Sequence, residues 1–222
     1  MGLINDKDAT IIRERLAKLP GAVTLAIFTQ EFECEYCKQT RELAEEVAGL
    51  SSGKVTTEVY DLVGDKAKAD LMGIDKIPAL AVLGAGGRDY GIRFFGIPAG
   101  YEFASLLESL EMVGKGDSGL APATKEKLRA LSGPVHLQVF VTPTCPYCPR
   151  AVLTAFRFAM ETDKVHASMV EATEFPHLAN KYQVSGVPHT VIGDSPQAMI
   201  GAYPEAAAAD MLVAVAQGMK EI

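Results

Sequence analysis

The same cysteine motif occurs twice in the chain, at matching places in two similar halves. Cys34 and Cys37 are separated by two residues, and so are Cys145 and Cys148, which lie 111 positions further along. Pro188 follows Pro78 by a nearly equal interval of 110 positions. Self-similarity at a fixed period predicts a repeated structural unit. We therefore expect the 222 residues to form two copies of one small domain.

Each half shows the same predicted order of helices and strands. After a leading helix, apolar β-branched runs alternate with amphipathic segments in the order βαβαββα. Residues 114–119 are rich in glycine and polar residues, as in a linker. The predicted fold class is thus α/β, with domains at 1–118 and 119–222, each built on a central mixed sheet flanked by helices.

The second cysteine pair lies between a predicted strand and a predicted helix. The run Val135–Val141 predicts a buried strand, and a helix is expected from about Pro146 to Glu161. A thiolate at Cys145 would face the free N–H groups and the positive end of the helix dipole, which lower a thiol pKa. Cys148, one turn later, would then resolve the mixed disulfide. In the first half, Cys34 and Cys37 have the same setting.

Composition excludes several classes of protein. The hydrophobic fraction of 48% suffices for a packed core, and the formal charge of −7 disfavours a nucleic-acid partner. No stretch has the roughly 18 uncharged apolar residues of a membrane span. Charges spread through the first 20 residues exclude a signal peptide. We expect a cytoplasmic protein, in which two close cysteine pairs indicate redox catalysis or metal binding rather than structural disulfides.

Other interpretations of the polar residues stay open. All four cysteines could bind one structural zinc ion, although 107 residues lie between Cys37 and Cys145 and zinc ribbons have much shorter spacings. Asp61 and Glu171 end corresponding strands and are either solvated acids or proton relays. His189, directly after Pro188, either lines a groove or packs. Asp89 stands where a dinucleotide-binding G-x-G-x-x-G motif would have its third glycine, so no flavin or nicotinamide site is expected.

The cysteine motifs and the prolines together resemble a known family. A Cys-x-x-Cys between a first strand and helix, followed about 40 residues later by Ile77-Pro78 or Val187-Pro188, resembles the thioredoxin fold. Cys145-Pro146-Tyr147-Cys148 resembles the glutaredoxin motif. The tandem arrangement resembles the protein disulfide oxidoreductases of thermophilic archaea and bacteria, over essentially the whole chain.

The resemblance implies site residues, an activity and partners. It implies cis peptide bonds before Pro78 and Pro188, whose shape leaves backbone groups free to pair with a substrate strand. It also implies dithiol–disulfide exchange on protein substrates, with recycling by a thioredoxin-reductase-like flavoprotein. The residues expected to contact substrate are Ile77, Pro78, Val187, Pro188, Pro146, Tyr147 and Tyr36.

Two alternative functions stay open. One is an electron-delivery module for a peroxiredoxin, similar to the amino-terminal part of alkyl hydroperoxide reductase flavoproteins, in which only one cysteine pair works. The other is a non-enzymatic protein that binds a metal ion or an iron–sulfur cluster.

The two sites are expected to differ in reactivity. Glu35 adds a carboxylate beside the Cys34 thiolate, which raises the thiol pKa and makes this pair more reducing. Pro146 adds no charge at the other site. The sequence therefore predicts that Cys145 and Cys148 form the dominant, more oxidising pair.

Overall fold

The computed structural model describes residues 2–218, so Met1 and residues 219–222 of the two predicted domains lie outside it. The first half contains α1 (Asp6–Leu16), β1 (Val23–Thr29), α2 (Cys37–Leu50), β2 (Val55–Asp61), α3 (Lys66–Leu71), β3 (Ala79–Gly84), β4 (Arg88–Phe95) and α4 (Glu102–Lys115). The second half contains α5 (Pro122–Arg129), β5 (Val135–Val141), α6 (Cys148–Glu161), β6 (Val165–Glu171), α7 (Pro176–Lys181), β7 (His189–Ile192), β8 (Ala198–Ile200) and α8 (Glu205–Ala216). The predicted fold class, a leading helix and βαβαββα in each half, is confirmed.

The strands of both halves form one continuous sheet. Its strand order is β2-β1-β3-β4-β6-β5-β7-β8, so β4 of the first half pairs directly with β6 of the second. This pairing is parallel and sets Ile92 opposite Ala167 and Phe95 opposite Val170. The repeat in the sequence predicts two sheets but not their fusion, which requires knowing which strand edges meet.

Strand direction brings both cysteine motifs to one edge of the sheet. Strands β1, β2, β4, β5, β6 and β8 run in one direction, and β3 and β7 run in the other. The edge at which β1 and β5 end is therefore also the edge at which β3 and β7 begin. We call it the cysteine edge.

A single apolar core runs under both halves on one face of the sheet. Helices α2, α4 and α6 contribute to it, and the ring of Phe94 in β4 meets that of Phe156 in α6 edge to face at 5.0 Å. Such a buried aromatic pair adds about 1 kcal/mol beyond its buried area. The opposite face carries a smaller cluster beneath α3 and α7. The two halves are thus joined by packing as well as by strand pairing.

The segment between β4 and α4 also connects the halves through hydrogen bonds. The N–H of Ile97 donates to Oε1 of Glu174 at 2.7 Å, and the N–H of Tyr101 donates to the carbonyl oxygen of Pro143 at 3.0 Å. Pro143 lies two residues before Cys145. The first half therefore holds the loop that carries the second cysteine motif.

None of the helices within residues 2–218 is long and apolar enough to cross a membrane.

The close contact at Gly96 predicts a stability difference between two equivalent glycines. Gly96 and Gly201 both have left-handed backbones, with φ of 92° and 94°, so an alanine costs about 1–2 kcal/mol at either position. A Cβ at Gly96 would lie 2.6 Å from the Cβ of Glu171, whereas one at Gly201 would meet no atom within 4 Å. We expect Gly96→Ala to destabilise the protein by about 1–3 kcal/mol more than Gly201→Ala, measured by urea unfolding. Equal losses of stability in the two variants would contradict a close contact between Gly96 and Glu171.

A buried acid in α4 predicts a pH-dependent stability. Glu102 is 1% exposed, and burial raises its pKa from 4.5 to about 7, although Ser105 donates to one oxygen at 2.7 Å. Between those values the folded state holds a proton that the unfolded state has released, so stability falls as pH rises. We expect the stability of Glu102→Gln relative to wild type to be about 2–3 kcal/mol greater at pH 8 than at pH 5. A difference that does not change with pH would refute this assignment.

Candidate active site

The first cysteine pair lies at the end of β1. Cys34 is half-buried in the loop after Thr29, and Cys37 is 2% exposed and begins α2. The two residues form a disulfide with their Cα atoms 5.5 Å apart. The pair thus lies at the N-terminal end of α2, where free N–H groups and the helix dipole favour a negative charge.

The second pair has the same placement at the end of β5. Cys145 is 8% exposed, and Cys148 is fully buried as the first residue of α6. These residues also form a disulfide, again with a Cα separation of 5.5 Å. The helix begins at Cys148 rather than at Pro146 as the sequence predicts, and Pro149 occupies its first turn, where a missing N–H costs nothing.

A cis proline lies beside each pair. The peptide bonds Ile77-Pro78 and Val187-Pro188 are both cis, as the resemblance implies, and they immediately precede β3 and β7. In the second half, Sγ of Cys145 lies 3.7 Å from the carbonyl oxygen of Val187. Because β3 pairs with β1 and β7 pairs with β5, the backbone at each proline adjoins the strand that leads to the corresponding cysteine pair.

The tyrosines between the cysteines have different surroundings. Tyr147 is 69% exposed, whereas Tyr36 is half-buried. The adjacent Glu35 carboxylate raises the pKa of Tyr36, with smaller contributions from Glu174 and Glu171 of the second half. Acids of the second half thus act electrostatically on the first site.

The two pairs are too far apart to exchange electrons directly. Four strand-to-strand steps separate β1 from β5, and at about 4.8 Å per step their ends lie about 19 Å apart. A disulfide bond requires Cα atoms within about 7 Å, and thiolates that bind one zinc ion lie within about 4 Å of each other. The geometry therefore excludes a zinc site shared by all four cysteines. Among residues 2–218, no cluster of three or more His, Cys, Asp or Glu side chains could hold a metal ion.

The corresponding acids Asp61 and Glu171 differ in environment. Asp61 is exposed and accepts hydrogen bonds from the N–H groups of Val63 and Gly64, so it stabilises a turn. Glu171 is 2% exposed, and its Oε1 has no hydrogen-bond partner. The difference arises because the first half covers the end of β6, while the end of β2 stays open.

His189 packs against the smaller apolar cluster. Its side chain is 6% exposed, lies edge to face with Phe140 at 6.4 Å between ring centroids, and has its pKa lowered by burial. Packing, rather than lining a groove, is therefore its observed role.

Sequence reasoning missed two acids near the junction of the halves, of which Glu102 is buried and Glu174 is half-buried. Glu102 begins α4, which packs on α6, and Glu174 follows β6 and binds the N–H of Ile97. Burial raises the pKa of each to about 7. The signal in the sequence was weak, because a glutamate at a helix start or in a loop is usually solvated.

The open side of the first site is a groove next to β2. It has a volume of about 780 Å³, and its lining includes Cys34, Asp61, Lys38, Arg41 and the exposed side chain of Phe32. At the second site the corresponding space, beside the end of β6, is filled by residues of the first half. Access to Cys34 is therefore possible from this side, whereas Cys145 is closed there.

Comparisons with known proteins agree with this architecture. Residues 135–214 match the family model described as a thioredoxin domain. A protein disulfide oxidoreductase from Aeropyrum pernix is 31% identical, with a TM-score of 0.90 over 98% of this chain and 96% of that one. The NTD_N/C domain of an alkyl hydroperoxide reductase from Enterococcus faecalis is 30% identical, with a TM-score of 0.86 over 94% of this chain and 99% of that one.

Curated relatives of this chain are longer proteins. An alkyl hydroperoxide reductase of Staphylococcus epidermidis is 29% identical over 141 residues, which are 59% of this chain and 27% of that protein. Another, of Pseudomonas putida, is 26% identical over 159 residues, 69% of this chain and 31% of that protein. The chain thus spans less than a third of these relatives.

The duplicated thioredoxin fold, the two Cys-x-x-Cys motifs at one sheet edge and the likeness over nearly the full length of both chains lead to one assignment. The chain belongs to the family of protein disulfide oxidoreductases.

Proposed function

We propose that the chain reduces, forms or isomerises disulfides of protein substrates through both cysteine pairs, with Cys145 and Cys148 dominant. The observation that carries this proposal is the matched placement of the two motifs, each before a helix start and beside a cis proline. We also propose that residues 1–118 and 119–222 are the two thioredoxin-like units. Use of dithiol pairs for exchange fits a reducing compartment such as the cytoplasm.

In the reductase direction, the Cys145 thiolate attacks one sulfur of a substrate disulfide. A sulfur–sulfur bond forms to Cys145, the substrate bond breaks, and the second substrate sulfur leaves as a thiolate that takes up a proton. Cys148 then attacks Cys145, which releases the first substrate sulfur and leaves the enzyme disulfide. Two electrons have passed from the dithiol to the substrate.

Substrate recognition is assigned to the backbone near each cis proline. A substrate strand would pair with Val187 and Pro188 at the second site, and with Ile77 and Pro78 at the first, as strands add to an open sheet position. Pro146, Tyr147 and Tyr36 border the sulfurs and would contact the substrate beside them. Tyr147 is suited to this because most of its side chain is exposed.

Electrons would come from a separate flavoprotein that resembles thioredoxin reductase. The disulfides themselves carry the electrons, so the proposal requires no flavin or nicotinamide in this chain. Because the pairs lie about 19 Å apart, each is expected to receive electrons from the flavoprotein on its own rather than through the other pair.

A second candidate function is delivery of electrons to a peroxiredoxin. It is favoured by the likeness to the alkyl hydroperoxide reductase domain, at 30% identity and a TM-score of 0.86. Peroxide consumption by a reduced peroxiredoxin, with this chain as the limiting electron carrier, tests it. If the chain reduces insulin but does not support peroxide consumption by the peroxiredoxin, the second function is rejected and the first is retained.

Single-site variants test which pair dominates in the reduction of insulin by dithiothreitol. We expect Cys145→Ser to lower the rate by more than about tenfold and Cys34→Ser to lower it by less than about twofold. The physical reason is that Glu33 and Glu35 place negative charge beside Cys34, which disfavours its thiolate and weakens it as a leaving group, whereas the second motif contains no acid.

The control is the variant with both substitutions, which should retain no activity. Equal losses in the two single variants would show that the sites work independently and would refute the dominance of the second. An inactive wild type would refute the proposed function itself.

A further inference from the structure

The backbone next to the two cis prolines is arranged in the same way, and in each half a glycine binds the carbonyl group of the proline. The N–H of Gly96 donates to the carbonyl oxygen of Pro78 at 2.9 Å, and that of Gly201 donates to the carbonyl oxygen of Pro188 at 2.8 Å. The two glycines have φ of 92° and 94°. The surroundings of these two glycines can therefore be compared directly between the halves.

Beyond the glycine, the two sites diverge. A Cβ at Gly96 would lie 2.8 Å from Oε1 of Glu174 and 2.6 Å from the Cβ of Glu171, whereas one at Gly201 would meet no atom within 4 Å. The cause is topological, because β4 pairs with β6 but β8 is the last strand of the sheet. The second half thus borders the substrate position of the first site, and nothing within residues 2–218 borders that of the second site in this way.

The carboxylates at this border have unused hydrogen-bonding capacity. Oε1 of Glu174 accepts the N–H of Ile97, but its Oε2 is buried without a partner. Oε1 of Glu171 is also buried without a partner, in a residue that is 2% exposed. An unsatisfied buried carboxylate oxygen is stabilised by a cation or a donor brought next to it.

More acidic residues lie around the first site than around the second. Glu33 and Glu35 are exposed on either side of Cys34, and Glu174 is close enough to raise the pKa of Tyr36. Residues 141–150, around the second pair, contain no acid and one base, Arg150, and Glu171, which pairs with Val141 at the end of β5, is buried. A cationic group next to a substrate disulfide would therefore be attracted more strongly to the first site.

Two basic residues near Cys34 do not cancel the negative potential that these acids create. Lys38 and Arg41 line the groove on the β2 side of Cys34, away from Pro78. Each is next to a carboxylate one turn along α2, with Nζ of Lys38 3.8 Å from Glu42 and Nε of Arg41 2.7 Å from Glu45. Their charges are largely compensated within the helix.

We propose that Glu174, contributed by the second half, is a specificity-determining residue of the first site, where it favours disulfides flanked by cationic groups. The substrate class is a polypeptide segment with lysine or arginine next to its disulfide-bonded cysteine. The second site selects less by charge. This inference rests on the proposed thiol–disulfide exchange and adds a division of substrates between the two pairs.

Two small disulfides of opposite charge test the inference, namely cystamine, a dication, and 3,3′-dithiodipropionate, a dianion. The reduced dithiol loses two electrons and two protons and forms its internal disulfide, and the probe takes them up to become two thiols. The first site is isolated by Cys145→Ser with Cys148→Ser, and the second by Cys34→Ser with Cys37→Ser. Second-order rate constants are measured at pH 8, above the pKa of about 7 of Glu174.

The measured quantity is the cystamine rate constant divided by the dithiodipropionate rate constant. Comparing this ratio between the two sites cancels the different intrinsic reactivity of the probes. We expect the ratio to be about tenfold higher at the first site in low salt, and to converge with that of the second site at high ionic strength. Adding Glu174→Gln, which preserves the acceptor for Ile97, should lower the first-site ratio by about threefold to fivefold.

Asp194→Asn is the matched control, because it removes the same charge from an exposed turn at the opposite edge of the sheet. It should leave both ratios unchanged. Equal ratios at the two sites, or equal effects of Glu174→Gln and Asp194→Asn, would overturn the inference while exchange itself persists. Absence of exchange with both probes at both sites would instead overturn the proposed function, and this inference with it.

Discussion

The parallel pairing of β4 with β6 is the contact on which the rest of the structure depends. It fuses two small sheets into one of eight strands and orients both halves in the same direction. Both cysteine motifs therefore lie at one edge of the sheet, after strands whose ends are about 19 Å apart. The same pairing brings α4 against α6, and Phe94 against Phe156, so that one apolar core extends through both halves.

Fusion also makes two similar sites unequal. The first half covers the end of β6, where it buries Glu171 and holds the loop before Cys145 through Tyr101. The corresponding end of β2 stays open as the groove beside Cys34. The first site is thus open on the side of β2 and bordered by acids on the side of its cis proline. The second site is covered on the side of β6 and has no such border beside its cis proline. Duplicated chemistry and unequal access are both consequences of one interface.

Equivalent positions on the two active-site helices show which side is buried. Val152 and Phe156 are fully buried on α6, which packs on α4 of the first half. Arg41 and Glu45, 111 positions earlier on α2, are exposed and form an ion pair. A charged face cannot accept another α4-like helix without the desolvation cost of burying an ion pair. The sequence contains this difference, but its meaning depends on knowing that α4 crosses to the other half.

The sequence by itself determined the local structure and the chemistry of this protein. The strand Val135–Val141 has its predicted bounds, because an apolar β-branched run reports burial directly. The positions of the cysteine pairs and of the prolines followed from the repeat. Only the tertiary structure decided that β4 meets β6, that Glu102 is buried and Glu174 half-buried, and that acids of one half border the site of the other. Those facts depend on contacts between residues far apart in the chain, and no local pattern encodes which edges pair.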